Sequence, residues 1–130
     1  MSSESLHEDA AKLGPEVVDQ HRAIVSLMEE LEAVDWYNQR AKATTNSELR
    51  AILEHNRDEE KEHAAMALEW LRRSDPTLSQ HLKTFLFTGG PITEIEATMT
   101  EDGNGEDDKT SDDGSLGIGS LRDTKAEAGQ

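Results

Sequence analysis

The sequence contains no cysteine, which excludes disulfides, thiolate zinc sites and iron–sulfur clusters and is typical of a reducing cytoplasm. Aromatic residues make up only 4% of the 130 residues, and no apolar run approaches the roughly 20 residues of a membrane-spanning helix. Positive charge is also scarce: 13 Lys and Arg stand against 28 Asp and Glu, for a formal net charge of -15. This surplus argues against nucleic acid and anionic membranes as partners and favours a protein that attracts cations.

Two long helices are predicted in the first half of the chain. No glycine or proline interrupts residues 16–43, and Pro15 suits the first turn of a helix over this stretch. Thr45 and Glu48 have capping-box spacing, which predicts a second helix over about 48–73. The short connection predicts an antiparallel hairpin.

Shorter helices follow the hairpin. Asp75 and Pro76 predict an N-cap and first turn of a third helix that runs to about Phe87. Two glycines and Pro91 then end that helix, and residues 92–99 are predicted to form a last short one. No segment alternates like a strand. The fold class is therefore all-α, with a helical domain over 15–100 after a flexible N-terminus, 1–14.

The end of the chain has a different composition. Residues 101–113 contain seven acids, one lysine and no apolar side chain, which predicts a disordered acidic linker. Apolar residues then return in 114–122, where Leu116, Ile118 and Leu121 are spaced as in an extended peptide that presents side chains to a groove. The last segment, 123–130, is a polar tail.

Each long helix carries metal-ligand side chains on an apolar stripe. Steps of three and four along the first helix connect apolar residues with Glu30 at their centre, and Tyr37 lies further along the same stripe. The corresponding steps along the second helix pass through Glu60, His63 and Trp70. Carboxylates on such a face are costly unless they are paired or bound to a metal. Carboxylate oxygens with an imidazole suit a transition metal such as iron.

These ligands amount to half of a known kind of site. Di-iron carboxylate bundles take one Glu from each of two helices and Glu-x-x-His from each of the other two. One copy of this chain has one helix of each kind. Two copies related by a two-fold axis would complete a four-helix bundle together with its site. We therefore expect a dimer with the metal ions at its interface, two irons per subunit dimer.

At these residues the sequence resembles the encapsulated ferritins, a branch of the ferritin-like superfamily. The resemblance covers residues 21–37, 55–66 and 68–73, and it continues in the tail over 115–122, which is similar to the targeting peptides of encapsulin cargo proteins. It implies a ferroxidase that oxidises Fe(II) for mineral storage inside an encapsulin compartment in the cytoplasm. It also implies assembly as a decameric ring of dimers, with the encapsulin shell as partner.

The resemblance also assigns roles to individual residues. It implies that Glu30, Glu60 and His63 are the ferroxidase ligands and that Glu29 and Glu32 form a metal-uptake site with Trp36 close by. Apart from the resemblance, His21, His55 and His81 are predicted to be surface or interface histidines. Glu62 is predicted to be solvated.

Two other interpretations remain open from the sequence. The ligand set also suits manganese, so that a catalase-like or peroxidase di-metal enzyme is an alternative. A passive cargo protein whose metal only holds its dimer together is the second. Acceleration of Fe(II) oxidation distinguishes the ferroxidase from both alternatives.

Overall fold

The computed structural model describes residues 5–102, and within this range the chain forms four α-helices and no β-strand. The helices are α1, Ala10–Ala43; α2, Ser47–Ser74; α3, Pro76–Phe85; and α4, Ile92–Asp102. The predicted all-α class is thereby confirmed. Helix α4 takes in the first two residues of the predicted linker, 101 and 102, whereas the rest of that linker, the 114–122 segment and the polar tail lie outside the described residues.

Helix α1 is interrupted near its start. Gly14 has φ 84° and ψ 161°, a conformation that L side chains rarely adopt, and it separates the turn that begins at Ala10 from the regular helix. Pro15 follows at once, with the fixed φ that a first helical turn accepts. The long helix therefore begins at the proline, as the sequence predicted.

The connection between α1 and α2 differs in detail from the sequence prediction. Thr45 is not the N-cap of α2; Asn46 is, because its Oδ1 accepts the backbone N–H of Leu49 at 2.9 Å. The capping box with Thr45 was therefore wrong by one position. Arg50 closes the other side of the turn, where its guanidinium donates to the carbonyl of Ala41 at 3.0 Å and to that of Thr44. One arginine of α2 thus satisfies two carbonyls at and just beyond the end of α1.

Helix α3 starts where it was predicted and ends earlier. The carboxylate of Asp75 accepts the backbone N–H of Leu78 at 3.1 Å, which confirms the predicted N-cap. The last helical hydrogen bond runs from Leu86 N–H to Leu82 O at 2.9 Å. Phe87 then adopts φ 63° and turns the chain out of the helix. The sequence predicted that α3 would run to about Phe87, but the helix ends at Phe85.

The first compact unit of the chain ends at Ser79, and α1 packs against α2 within it. Only three apolar residues of the described chain are buried, and all belong to this pair: Ala41, Ala64 and Leu71. The two alanines at the contact allow the helices to approach closely. Polar contacts hold the pair in register, with Arg57 donating to Asn38 at 3.0 Å near the middle.

Many large apolar side chains of the hairpin remain exposed. On α1 they are Val17, Ile24, Met28, Leu31 and Trp36, and on α2 they are Leu49, Ile52, Met66 and Trp70. A single hairpin has too few contacts to cover them, because two helices can bury only the faces that they turn to each other. None of the described helices is long and apolar enough to span a membrane.

Candidate metal centre

Three predicted ligands come together on one flank of the hairpin. His63 Nδ1 lies 3.1 Å from Glu60 Oε1 and 3.6 Å from Glu30 Oε1. One ligand atom from each of the three side chains lies within 4.8 Å of the other two. This is the only group of its kind that the described part of the chain contains. The structure thus joins a residue of α1 to two residues of α2, as the sequence pattern predicted.

The geometry of α2 accounts for this convergence. Glu60 and His63 are three residues apart, which places them almost one turn apart and about 60° from each other around the helix axis. Ala64, the next residue, is 7% exposed and packs in the interface with α1. The small side chain at 64 therefore lets α1 come close enough for Glu30 to reach both ligands of α2.

The outward rotation of His63 was not predicted. The sequence steps placed Glu60 and His63 in the middle of the buried stripe of α2 and Trp70 at its end. His63 and Trp70 are nevertheless exposed, and Ala64 and Leu71 take the buried positions. The face of α2 that packs against α1 contains Glu60, Ala64 and Leu71, which are four and seven residues apart. His63 lies on the adjoining flank, where its side chain is 46% exposed. The site is therefore open to solvent on the side that bears His63.

The three groups shift one another's proton affinity. The hydrogen bond with Glu60 raises the pKa of the Glu30 carboxyl, and partial burial raises it further. The pKa of Glu60 is lowered because its carboxylate receives hydrogen bonds from Glu30 and from His63. The hydrogen bond to Glu60 raises the pKa of His63, and the negative charges of Glu30 and Glu60 add to this. Glu30 and His63 therefore bind protons more tightly than an isolated carboxyl and an isolated imidazole would.

The chemistry of the donors fits a divalent first-row metal. Two carboxylates and one imidazole offer hard oxygen ligands with a nitrogen ligand of intermediate softness, the combination that iron and manganese accept. His63 Nδ1 lies 3.1 Å from Glu60 Oε1, so a proton shared by these two atoms competes with a cation for the same carboxylate. Glu30, Glu60 and His63 can therefore hold such an ion when all three are deprotonated.

The predicted uptake residues lie nearby on α1 but outside the cluster. Glu29 and Glu32 are exposed, and Trp36 is exposed as well. Trp36 lines a shallow depression with Gln39 and Arg40. Glu62, between the two α2 ligands, is exposed, as the sequence predicted.

Tyr37 lies on the stripe of Glu30 but two turns further along, roughly 10 Å along the helix axis. The guanidinium of Arg40 lies 5.6 Å from the centre of its ring, a cation–π contact. Of the remaining histidines, His55 lies 3.9 Å from Glu59, one turn along α2. His81 is exposed on α3.

Sequence reasoning missed the contacts that hold the two ligand-bearing helices in register. Arg57 and His63 each lie three residues from Glu60, so they project to opposite sides of it. The bond from Arg57 to Asn38 therefore closes one side of the groove between the helices, and the metal ligands occupy the other. The sequence does show an arginine one turn before Glu60. Its hydrogen-bond partner Asn38 lies 19 residues away on the other helix, and helical periodicity does not predict such a pair.

Comparison with known proteins shows which family this chain is similar to. The family described as EncFtn-like matches residues 5–89. The chain is 62% identical over 126 residues to the encapsulated ferritin-like protein of Rhodospirillum rubrum, an alignment that covers 93% of this chain and 90% of that protein. It is 36% identical over 99 residues to the encapsulin nanocompartment cargo protein EncC of Myxococcus xanthus, covering 72% of this chain and 76% of that protein.

A solved structure shares the fold. The crystal structure of a protein from Nitrosomonas europaea matches with a TM-score of 0.66 and 60% identity, over 68% of this chain and 97% of that one. The match supports the all-helical fold of this chain.

Proposed function

The chain belongs to the EncFtn-like family, and from that premise we propose that it is a cargo ferroxidase, which oxidises Fe(II) to Fe(III) at a di-iron site built by two copies. The observation that carries the proposal is the convergence of Glu30, Glu60 and His63 within 4.8 Å. Iron is both the substrate and the ion that these residues hold. The alternatives of a manganese enzyme and a passive metal-binding cargo protein are distinguished by experiment below.

Two copies are needed because one copy offers too few ligands. Three side chains cannot complete the coordination of two metal ions, whereas two copies related by a two-fold axis would offer four carboxylates and two imidazoles. The flank that bears His63 is open to solvent, and Met66 and Trp70 remain exposed on the same helix. A second hairpin on this flank would cover these apolar side chains and bring its own ligands to the first set.

The ligand residues act by releasing protons and holding charge. Any proton on Glu30 or His63, whose pKa values are raised, must leave before these groups bind the substrate, whereas the pKa of Glu60 is lowered and its carboxylate is more readily ionised. Two ferrous ions bound by these ligands would each supply one electron, so that dioxygen and two protons would give hydrogen peroxide. The carboxylates then favour the ferric product, because hard oxygen ligands bind the higher charge more strongly.

The acidic surface suits the delivery of the substrate. Glu29 and Glu32 are exposed on α1 within two residues of Glu30, on a chain with a net charge of -15. Carboxylates grouped near the mouth of a site raise the local cation concentration. We assign these two glutamates to uptake of Fe(II), with Trp36 one turn beyond Glu32. Their replacement should change how the rate depends on iron concentration while the ligands still bind metal.

Packaging is the second part of the proposal. The Myxococcus xanthus relative is an encapsulin nanocompartment cargo protein by name. We propose that this chain associates with an encapsulin shell through Leu116, Ile118 and Leu121 and works as an annular decamer inside that compartment in the cytoplasm. These residues offer the apolar side chains that a groove on a shell protein would take.

Single replacements at the ligands test the enzyme proposal. Glu60→Ala should nearly abolish the oxidation of Fe(II), because each replacement removes two ligands from a symmetric site. Glu62→Ala is the matched control, since Glu62 is an exposed glutamate on the same turn of α2 outside the cluster. Formation of Fe(III) is followed by absorbance after Fe(II) is added to the metal-free protein in air.

Three outcomes would redirect the proposal. Unchanged oxidation by Glu60→Ala would refute the ligand assignment. Breakdown of peroxide by the Mn(II)-loaded protein, without faster Fe(II) oxidation, would favour the manganese enzyme. Metal-dependent assembly without turnover would favour the passive cargo protein.

A further inference from the structure

Arg57 joins α2 to α1 close to the metal cluster without being part of it. Its Nη1 donates to Asn38 Oδ1 of α1 at 3.0 Å, and its Nε donates to the neighbouring Asp58 at 3.0 Å. The guanidinium is therefore held at two of its nitrogens, and the side chain is only 22% exposed. Arg22 of α1 is different, because its side chain is 72% exposed and bonds to Asp19 of the same helix.

The bond from Arg57 to Asn38 and the contact of His63 with Glu30 lie on either side of Glu60. Arg57 comes three residues before Glu60 and His63 three residues after it, so each is about 4.5 Å away along the axis of α2. The two side chains also project about 60° to opposite sides of Glu60. One contact alone would let α1 turn or slide about it. Two contacts on opposite sides of Glu60 restrict both movements.

The apolar contact between the two helices does little to fix their relative height. Of the three buried apolar residues, two are alanines, Ala41 and Ala64. Helices take a defined offset when ridges of side chains fit into grooves, and a methyl group forms only a low ridge. A slide of one helical turn, about 5.4 Å, would separate Glu30 from His63. Polar contacts therefore have the larger share in choosing the register at which the ligands meet.

The contact of Arg57 is suited to the state that precedes metal binding. Two ionised carboxylates that face each other, such as Glu30 and Glu60, repel when no cation lies between them. Arg57 and Asn38 meet as a permanent cation and a neutral amide, so this repulsion is absent from their contact. It can hold α1 in place until a cation reaches the ligands.

We propose that Arg57 is a positioning residue of the metal centre, which keeps α1 through Asn38 at the register where Glu30 meets the two α2 ligands. Arg57 does not contact the metal; it acts through the position of Glu30. The inference rests on the proposed metal site but not on the oxidation of iron, since a metal ion that is not oxidised there can report it.

Calorimetric titration of the metal-free protein with Mn(II) tests the proposal. Arg57→Met keeps the aliphatic stem and loses both hydrogen bonds. It should weaken Mn(II) binding about tenfold, the lower end of what changes to groups that orient metal ligands produce. Arg22→Met is the matched control, because it removes an arginine that bonds within its own helix, and its affinity should equal that of the parent. The titrations are made at a temperature where circular dichroism shows every variant to be fully helical.

Variants of Asn38 test the same contact from the other helix, and they remain informative if Arg57→Met does not fold. Asn38→Ala removes the acceptor and should weaken Mn(II) binding as Arg57→Met does. The double variant should be no weaker than either single one, because both changes break one bond. Asn38→Asp keeps an oxygen for Arg57 and should bind Mn(II) like the parent. Additive losses in the double variant would overturn the proposal.

A direct measurement of register separates positioning from stability. Ser26→Cys and Ala51→Cys introduce spin labels at exposed positions of α1 and α2, in a chain that has no other cysteine. The two positions are offset along the axis, so a slide of one helix changes the distance between them. Labelled protein is diluted with unlabelled protein, and the distance distribution is measured without metal. Arg57→Met should broaden or shift this distribution, and Arg22→Met should not.

Unchanged Mn(II) affinity of Arg57→Met would overturn the positioning role, because a lower thermal midpoint alone would show only that the bond stabilises the fold. An unchanged distance distribution would overturn it as well. Glu60→Ala, titrated alongside, distinguishes this failure from failure of the site, since it should lose Mn(II) binding in either case. If Glu60→Ala binds Mn(II) like the parent, the proposed metal site fails, and the role of Arg57 fails with it.

Discussion

Glu30 Oε1 on α1 lies 3.6 Å from His63 Nδ1 on α2, although 33 residues separate them in sequence. This contact links the ligands of the two helices, because Glu60 lies 3.1 Å from the same nitrogen. In the metal-free protein the nitrogen faces two carboxylates, and both favour its proton. The carboxylates that would bind a cation also favour a proton on His63, so protons and metal ions compete for the site.

Metal binding should weaken in acid, starting at a higher pH than for an ordinary histidine. The pKa of His63 is raised above 6.5 by its hydrogen bond to Glu60 and by the nearby carboxylates. Metal must displace this proton, so the affinity should fall as pH drops through the raised value. Calorimetric titration with Mn(II) in buffers of different ionisation enthalpy counts the protons released. His55→Ala should leave the pH profile unchanged, and equal affinity at pH 5 and pH 8 would contradict the prediction.

Fe(II) should promote assembly. Each copy holds half of the proposed ligands, so iron added without oxygen should shift the protein from small species to dimers and larger rings. Size-exclusion chromatography with light scattering measures this, and Glu60→Ala should show no shift. An identical monomer peak with and without iron would count heavily against a site between subunits.

The spacing of the two helices should control the metal centre. Ala64 is 7% exposed at the contact with α1, directly after His63. Ala64→Leu should cost about 1–3 kcal/mol in unfolding free energy by overpacking and should move Glu30 away from the α2 ligands. We expect a lower thermal midpoint and weaker Mn(II) binding. Ala65→Leu, at the exposed next position, is the control that should change neither.

Glu69 should contribute to stability in a defined acidic range. Hydrogen bonds from Arg72 at 2.7 and 2.8 Å, and from Arg73 at 2.7 Å, lower the pKa of this carboxyl from 4.5 to about 2. Because the folded value lies below the unfolded one, the contribution is complete above pH 4.5 and is lost as pH falls towards about 2. Glu69→Gln should therefore be less stable than the parent at neutral pH, with the difference shrinking across this range.

Chemical denaturation at several pH values measures that difference. Glu62→Gln is the control, since Glu62 is exposed on the same helix and should alter stability little. A constant gap between Glu69→Gln and the parent from neutral pH to pH 2 would show that the ion pairs with the two arginines do not stabilise the fold.

Loading into the shell should require the 114–122 segment and nothing beyond it. Truncation after Asp113 should leave the rate of iron oxidation unchanged and prevent copurification with a co-expressed encapsulin shell. Truncation after Arg122, which removes only the polar tail, should load normally. Serine at both Leu116 and Ile118 should act like the longer truncation, because the groove would lose most of the apolar area it buries. Full loading without the segment would refute the targeting role and leave the iron chemistry untouched.

The sequence by itself determined the helices and the identity of the metal-ligand side chains. Pro15, Asp75 and the glycines before Pro91 mark helix boundaries through local backbone preferences, and those boundaries agree with the structure to within a few residues. Glu30, Glu60 and His63 stood out because charged and imidazole side chains interrupt apolar stripes, a property of each helix taken separately. Asn46 rather than Thr45 caps α2 because neighbouring polar residues compete for the same backbone N–H, and sequence spacing does not rank them.

Only the tertiary structure decided how the two stripes face each other. Close approach at Ala41, Ala64 and Leu71 sets the rotation of α2, which turns His63 from the expected buried face to an open flank. Periodicity cannot resolve this rotation. From Glu60, a step of three leads to His63 and a step of four leads to Ala64, and both steps are consistent with one helix face. The left-handed backbone of Phe87 was also invisible in the sequence, since local preference there favours glycine. Rotation and strain depend on packing across helices, and local sequence does not encode that packing.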